Sequence, residues 1–439
     1  MKNSLLSVLK PFGQEHLLTF WDNLSATERT HLAAQIHSIV QNTGFAEIAE
    51  LYEKRGETAE YESLVSRAND PEAYKFSTVT DPTPVKSPKA LTPPDAVLLG
   101  QEALRNRKVA AALVAGGQGT RLGFPHPKGM YPIGPASGAT LFQIHCEKIL
   151  AAQQQYGHTI PYCIMTSPAT HQETVQFLHD NRYFGLQEKA VFLFCQGTMP
   201  AVSMTTGKVL LDTPSSIALS PDGHGGMLAA ITRKTAENAE SSILDTLEQR
   251  GIEYLFYHQV DNPLVQILSP EFLGYHIGSG SELTSQVVRK RFPTEKVGNI
   301  VEIGGRLRII EYSDLPESAA KLTNPDGTLK IWAGSIAAHV FNTALLRRES
   351  KNKASLPFHL AEKKVPYIDL QSGERIKPEQ ENAVKFERFI FDLLPSATNA
   401  VVVEVDPPHH YAPLKNAPGS ASDCPETVKQ NIAALYPNW

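Results

Sequence analysis

Between Lys108 and Val260 the chain repeats one pattern. Short apolar runs, at 109–115, 161–167, 190–196 and 252–260, are separated by stretches of helical periodicity. Runs of four to seven apolar residues with no polar alternation suit strands buried on both faces, which are characteristic of parallel sheets. Parallel neighbours need crossover connections, and helices supply them. The pattern predicts an α/β fold whose central, mostly parallel mixed sheet has helices on both faces.

Capping residues place the helices. Thr140 with Gln143 reads as a capping box opening a helix that runs to about Tyr156, and Thr170 with Glu173 reads as a second. Beyond Ser281, the segments 283–290, 298–303 and 306–312 read as antiparallel strands. Gly304-Gly305 forms the two-residue link between the last two. Residues 1 to about 80 show helical spacing, and the five prolines from Pro82 to Pro94 exclude a helix and read as a connector. The length of 439 residues points to about three domains. Their expected bounds are 1–95 for a helical region with the proline connector, 96–344 for the α/β domain and 345–439 for a small C-terminal α+β domain.

Composition narrows the function. A net charge of -5 and 20% charged residues do not suggest nucleic acid as a partner. No run approaches the ~18 apolar residues of a membrane span, and the N-terminus lacks a signal-peptide core. A cytoplasmic location is expected. The four cysteines show no metal-ligand spacing and read as buried free thiols. His409-His410, on an extended segment, would point to opposite faces, which disfavours a shared metal.

The chemistry concentrates in Leu113–Gly134, "LVAGGQGTRLGFPHPKGMYPIG", directly behind the first strand. The dinucleotide fingerprint fails because Leu122 stands where its third glycine belongs, and the P-loop fails because Lys128 is followed by glycine. A bare glycine pair leaves a ligand-free turn open. The full spacing is more specific: G-G-x-G-T-R-L-G, four residues, then P-K-G. It resembles the signature of the UTP:sugar-1-phosphate uridylyltransferase family, in particular its eukaryotic-type UDP-N-acetylglucosamine pyrophosphorylases. Further segments extend the resemblance in order: "CQGTMPAV", "SPDGHGGM", "VDNPLV", "FPTEKVGNIV", "IIEYSDL" and "YAPLKNA".

The resemblance implies a Rossmann-like, GT-A-like nucleotidyltransferase acting on the small molecules UTP and a sugar 1-phosphate, with Mg²⁺ as cofactor. Carried over residue by residue, Val114, Ala115, Gly116, Gly117, Lys128, Gln196 and Gly223 would hold UTP. Arg121, Lys128 and Lys415 would act on the phosphates, and Asp261 would hold Mg²⁺. His224, Gly298, Glu311, Tyr312 and Ser335 would meet the sugar. Arg121 and Lys128 bring cations to a polyanion, and Asp261 ends a strand, where open α/β sheets place ligand groups. Two departures concern the sugar. His224 replaces the asparagine usual in acetylhexosamine enzymes and is more familiar in the UDP-glucose and broad UDP-sugar branches. Trp332 and Ser335 stand where the acetylhexosamine branch has sugar-contacting asparagines. The implied sugar is N-acetylglucosamine 1-phosphate, with glucose 1-phosphate as the alternative. A non-catalytic sugar-nucleotide sensor is a remote one, since Arg121, Lys128 and Asp261 are all present.

Overall fold

The computed structural model describes residues 1–55, 65–83, 87, 90–234, 241–352 and 354–437. They group into two compact units. One comprises Met1–Thr58, Gly197–Gly226 and Leu356–Phe389; the other comprises Ala59–Gln196, Met227–Ser355 and Ile390–Trp439. The expected bounds at 95/96 and 344/345 divide the chain along its length, whereas these units cut across it. Strand pairing joins segments hundreds of residues apart, so compactness does not follow chain order.

The larger unit is built on a ten-stranded sheet. Its strands are β1 (Ala73–Lys75), β2 (Val109–Val114), β3 (Tyr162–Thr166), β4 (Val191–Cys195) and β5 (Tyr254–Gln259). They continue as β6 (Leu283–Arg289), β7 (Gly298–Ile303), β8 (Arg306–Ile310), β9 (Ala333–Asn342) and β10 (Val401–Glu404). The order is β1-β10-β6-β9-β5-β2-β3-β4, and the β7–β8 hairpin pairs with β9. Within the eight-strand path only the two pairings of β9 are antiparallel. The α/β expectation holds, with a mostly parallel mixed sheet. Val109, Ala110, Ala111, Ala112 and Leu113 are all buried, so both faces of β2 are covered.

Order along the sheet decides where a ligand can bind. From β2 the chain moves outward to β3 and β4, then returns to the opposite side of β2 with β5. The β2/β5 pair is thus the point where strand order reverses, and the crevice beyond its carboxyl ends is the preferred ligand position in open α/β sheets. Register brings the two ends level: Gln259 pairs with Val114, and the Val260 N–H donates to the Val114 carbonyl at 3.1 Å.

Local expectations fared unevenly. The helix Leu141–Tyr156 begins where read, with the Thr140 hydroxyl accepting from the Gln143 N–H at 3.2 Å, but the box is only half made, since the Gln143 amide donates to Glu147 instead. Thr170 forms no side-chain cap. Its hydroxyl instead accepts from the Ser167 N–H, and Glu173 turns away to pair with His126. The helical reading of the first 80 residues holds for Lys2–Leu9, Ala26–Asn42 and Phe45–Glu53, but Ala73–Lys75 is the strand at one end of the large sheet. Of the proline connector, Pro84 and Pro88 lie outside the described residues, and its end is helix after all. Pro93 and Pro94 open Pro93–Arg105, where a missing N–H costs nothing and Thr92 caps the start. Gly304 and Gly305, both with positive φ, make the expected hairpin link. His409 and His410 lie on a short helix, Pro407–His410, not an extended segment. Both bond back to Asp406, the N-cap residue of that helix. Cys146, Cys163 and Cys424 are buried free thiols, while Cys195 is only half-buried.

In the smaller unit, Leu32, Ile36 and Ile39 of helix Ala26–Asn42 pack with Val202, Val384 and Phe386 in one apolar cluster. The last three belong to a sheet of His359–Lys363, Ala383–Glu387 and Val202–Ser203.

Candidate active site at the strand-order switch

Beyond β2 the chain makes a loop closed at its base: Lys128 N–H donates to the Gly117 carbonyl at 3.0 Å, and Gly119 N–H to that of His126 at 2.9 Å. Gly116 passes between two neighbours. A β-carbon here would stand 2.6 Å from Gln196 Oε1 and 3.2 Å from the Ser167 N–H nitrogen. At Gly117 the corresponding direction is open. The glycine pair therefore has separate tasks: Gly116 lets Gln196 lie against the backbone, and Gly117 leaves an uncovered strip of main chain. Gln196 is buried and follows β4, its N–H held by the Thr166 carbonyl at 3.0 Å. Ser167, after β3, donates its hydroxyl to the Gly116 carbonyl at 2.7 Å. Sequence reading missed Ser167, although its place just past a strand end marks it as a site position.

Beyond β5, Asp261 is half-buried. Its carbonyl accepts from Leu414 N–H at 2.8 Å, and the Leu414 carbonyl in turn accepts from Lys128 Nζ at 3.3 Å. Lys415 follows at once, its Nζ 3.1 Å from the Tyr411 hydroxyl. Three charged residues far apart in sequence, Lys128, Asp261 and Lys415, thus converge on one main-chain residue, Leu414. Burial pulls the Lys415 ammonium down in pKa, but Tyr411, Asp261 and Asp423 outweigh it and the net shift is upward. Lys415 therefore keeps its charge. Tyr411 and Asp423, which surround it, carry no sequence signal beyond proximity.

The hairpin residues assemble separately. Gly298 pairs in register with Ser335, and a β-carbon on Gly298 would meet Glu311 Oε1 at 3.3 Å. Gly298, Glu311 and Ser335 therefore share one corner, while Tyr312 stands 47% exposed. Lys290 Nζ donates to Asn299 Oδ1 at 2.8 Å and braces the hairpin. Trp332 is buried, with the Arg289 guanidinium 4.6 Å from its ring centre. Arg121 is exposed on a short turn, Thr120–Leu122, and no ion pair joins it to another site residue among the described residues.

Gly223 and His224 belong to the smaller unit. Gly223 has φ +82°, and a β-carbon there would lie 2.4 Å from the Arg388 carbonyl oxygen, so this turn tolerates only glycine. The His224 ring stacks on Phe389 at 5.2 Å. Burial, reinforced by His359, pushes its pKa down to about 4, which leaves it neutral near pH 7.

No group of three or more His, Cys, Asp or Glu able to hold a metal occurs among the described residues, and no described helix is long and apolar enough to cross a membrane. Mg²⁺ characteristically takes one or two carboxylates and leaves its remaining positions to phosphates and water. A single strand-end carboxylate whose charge acts on Lys415 fits that pattern.

Residues 69–420 match the family described as UTP–glucose-1-phosphate uridylyltransferase. The UDP-N-acetylglucosamine pyrophosphorylase of Saccharomyces cerevisiae is 34% identical, over 97% of this chain and 88% of its own. UDP-N-acetylhexosamine pyrophosphorylase-like protein 1 of Xenopus tropicalis is also 34% identical, over 97% of this chain and 82% of its own. Among solved structures, the uridine diphosphate N-acetylglucosamine pyrophosphorylase from Trypanosoma brucei, in complex with inhibitor, matches with a TM-score of 0.82 at 27% identity. That match covers 100% of this chain and 85% of the other. With the family match running over well more than half its length, and the glycine loop at the switch point of its sheet, the chain belongs to the UTP–glucose-1-phosphate uridylyltransferase family.

Proposed function

We propose that the protein is a uridylyltransferase that converts UTP and N-acetylglucosamine 1-phosphate to the UDP-sugar and pyrophosphate. The observation carrying this reading is the convergence of Lys128, Asp261 and Lys415 on Leu414, beside the Gly116–Gln196 contact. The names of the S. cerevisiae and T. brucei relatives support the sugar.

In this reading an oxygen of the sugar phosphate attacks the α-phosphorus of UTP. One P–O bond forms as the bond to pyrophosphate breaks, so the reaction needs neither a protein nucleophile nor a net proton transfer. Rate enhancement then rests on alignment and on fixed positive charge. Lys128 and Lys415 neutralise the reacting phosphates, and Arg121 receives the departing pyrophosphate. Main-chain N–H groups at Gly116 and Gly117 approach phosphate, with Val114 and Ala115 beneath them. Gln196 reads the uracil edge, and Gly223 lets its loop turn against the nucleotide. Gly298, Glu311, Tyr312, Ser335 and His224 contact the sugar. Asp261 would hold Mg²⁺, which when bound supplies further positive charge to the phosphate groups.

A second reading, a UDP-glucose or broad UDP-sugar pyrophosphorylase, has a specific basis. Ser335 is shorter than the asparagine it replaces, and its hydroxyl already accepts from the Ala337 N–H at 3.3 Å. Pyrophosphate release from UTP should therefore be measured with N-acetylglucosamine, N-acetylgalactosamine and glucose 1-phosphates side by side. Preference for the first supports the main reading and preference for glucose the second. UTP binding without release would mark a sensor.

A further inference from the structure

The motif 260–265 contains a residue that the proposed chemistry does not use. Asn262 is 3% exposed, and it follows Asp261 directly. Its Nδ2 donates to the His410 carbonyl at 2.8 Å, and its Oδ1 accepts from Ala412 N–H at 3.1 Å and Leu264 N–H at 3.2 Å. One side chain thus bonds the backbone on both sides of Tyr411, the residue whose hydroxyl lies against Lys415 Nζ. The adjacent main-chain bond from Leu414 N–H to the Asp261 carbonyl continues the same seam.

The turn holding Asn262 is itself fixed from the other side. His145 Nε2, on helix Leu141–Tyr156, lies 3.0 Å from the Val260 carbonyl. Lys148 Nζ, one turn further, donates to the carbonyls of Pro263 at 2.6 Å and Val265 at 2.8 Å. The 260–265 turn is therefore anchored to the core, and Asn262 carries that anchorage across to segment 410–415. Without the amide, three buried main-chain groups, the His410 carbonyl and the N–H groups of Ala412 and Leu264, would lose their partner. That loss disfavours the observed position of the segment.

We infer that Asn262 is a positioning residue that fixes the separation between Asp261 and Lys415 by clamping the 410–412 backbone. The inference rests on the proposed roles of those two residues, but its structural half is testable without them. A carboxamide suits the task because it donates and accepts at once. Aspartate keeps the acceptor and loses the donor, and alanine loses both. Partners that orient a site group in this way typically contribute 10- to 100-fold.

The test uses the full-length protein and the variants Asn262→Ala and Asn262→Asp. Hydrogen exchange followed by mass spectrometry is expected to rise at least tenfold in peptides covering 410–416, with peptides covering 109–117 unchanged. Turnover should fall about 10- to 100-fold in line with such partners, while KM for UTP stays within about twofold. The decisive measurement is a double-mutant cycle with Lys415→Ala. If Asn262 acts through Lys415, the double variant is no slower than Lys415→Ala alone. Multiplicative losses, or unaltered exchange at 410–416, would overturn the inference. Should Asn262→Ala fail to fold, Asn262→Asp, which keeps the side-chain shape, carries the same readouts. If exchange rises as expected but the wild-type protein makes no UDP-sugar, the clamp stands and the uridylyltransferase reading falls.

Discussion

Gly116 and Gln196, eighty residues apart, are in direct contact: a β-carbon on Gly116 would stand 2.6 Å from Gln196 Oε1. The obstructing atom is the end of a movable side chain, so Gly116→Ala is expected to displace the amide and leave the fold intact. Loss of one such oriented contact should raise KM for UTP about tenfold, corresponding to about 1.4 kcal/mol. Thermal melting should shift by no more than about 3 °C. Steady-state kinetics with varied UTP checks this, and an unchanged KM would remove Gln196 from the nucleotide site.

The Lys128 ammonium donates to the Leu414 carbonyl at 3.3 Å, and the residue is half-buried. Its removal should scarcely affect stability. Its charge, in contrast, lies among the groups proposed to meet the reacting phosphates. Lys128→Ala is expected to lower turnover about 100- to 1000-fold, the range for losing one fixed electrostatic contact. Near-wild-type UDP-sugar formation by the purified variant would show that Lys128 is not a phosphate ligand.

Asp261→Asn keeps shape and removes the charge that Mg²⁺ would need. We expect chelation of divalent ions to abolish pyrophosphate release by the wild type, and added Mg²⁺ to restore it. The variant should need at least tenfold more Mg²⁺ for half-maximal rate, since outer and inner ligand changes commonly alter metal affinity by 10- to 100-fold. An identical Mg²⁺ dependence in both proteins would exclude Asp261 as the ligand.

Helices Pro93–Arg105 and Pro270–Ser279 approach so closely that a β-carbon on Gly274 would lie 1.6 Å from the Ala96 carbonyl oxygen, and one on Gly100 1.9 Å from that of Pro270. Backbone is the obstacle at both, so neither can yield by rotating a side chain. Gly274→Ala should destabilise the fold by about 3 kcal/mol or more, the upper range for overpacking. Guanidinium unfolding would register this as an earlier midpoint, and wild-type stability would contradict the crossing.

Buried histidines set the acid limit. Burial pushes His145 down to about 3, and His224 and His276 to about 4, from an ordinary value of 6.5. Between those values the unfolded chain binds protons that the folded chain does not, so stability rises with pH there. Unfolding free energy should fall as pH drops from about 6.5 towards 4. Denaturant midpoints across that interval test the sign, and a flat profile would mean that the rings are hydrated.

Sequence pattern reached far where the signal is local. Apolar runs located β2 to β5, Thr140 located the start of its helix, and Gly304-Gly305 the hairpin link, because each depends on burial or backbone conformation at neighbouring residues. It failed where distant partners decide. Ala73–Lys75 is extended because Val402 to Glu404 offer it a ladder, and Glu173 leaves its capping role because His126 is within reach. Pro93 was misread for another reason: proline excludes a helix's interior but suits its first turn.

By itself the sequence determined the α/β class, the glycine loop with its arginine and lysine, and the strand end that carries Asp261. These are properties of contiguous residues. Tertiary structure alone decided that Gly116 meets Gln196, that Leu414 joins Asp261 to Lys128, and that Asn262 secures the backbone leading to Lys415. Those relations arise from strand order, which brings the ends of β2 and β5 side by side and returns the 410–415 segment beside them, and no local pattern encodes that order.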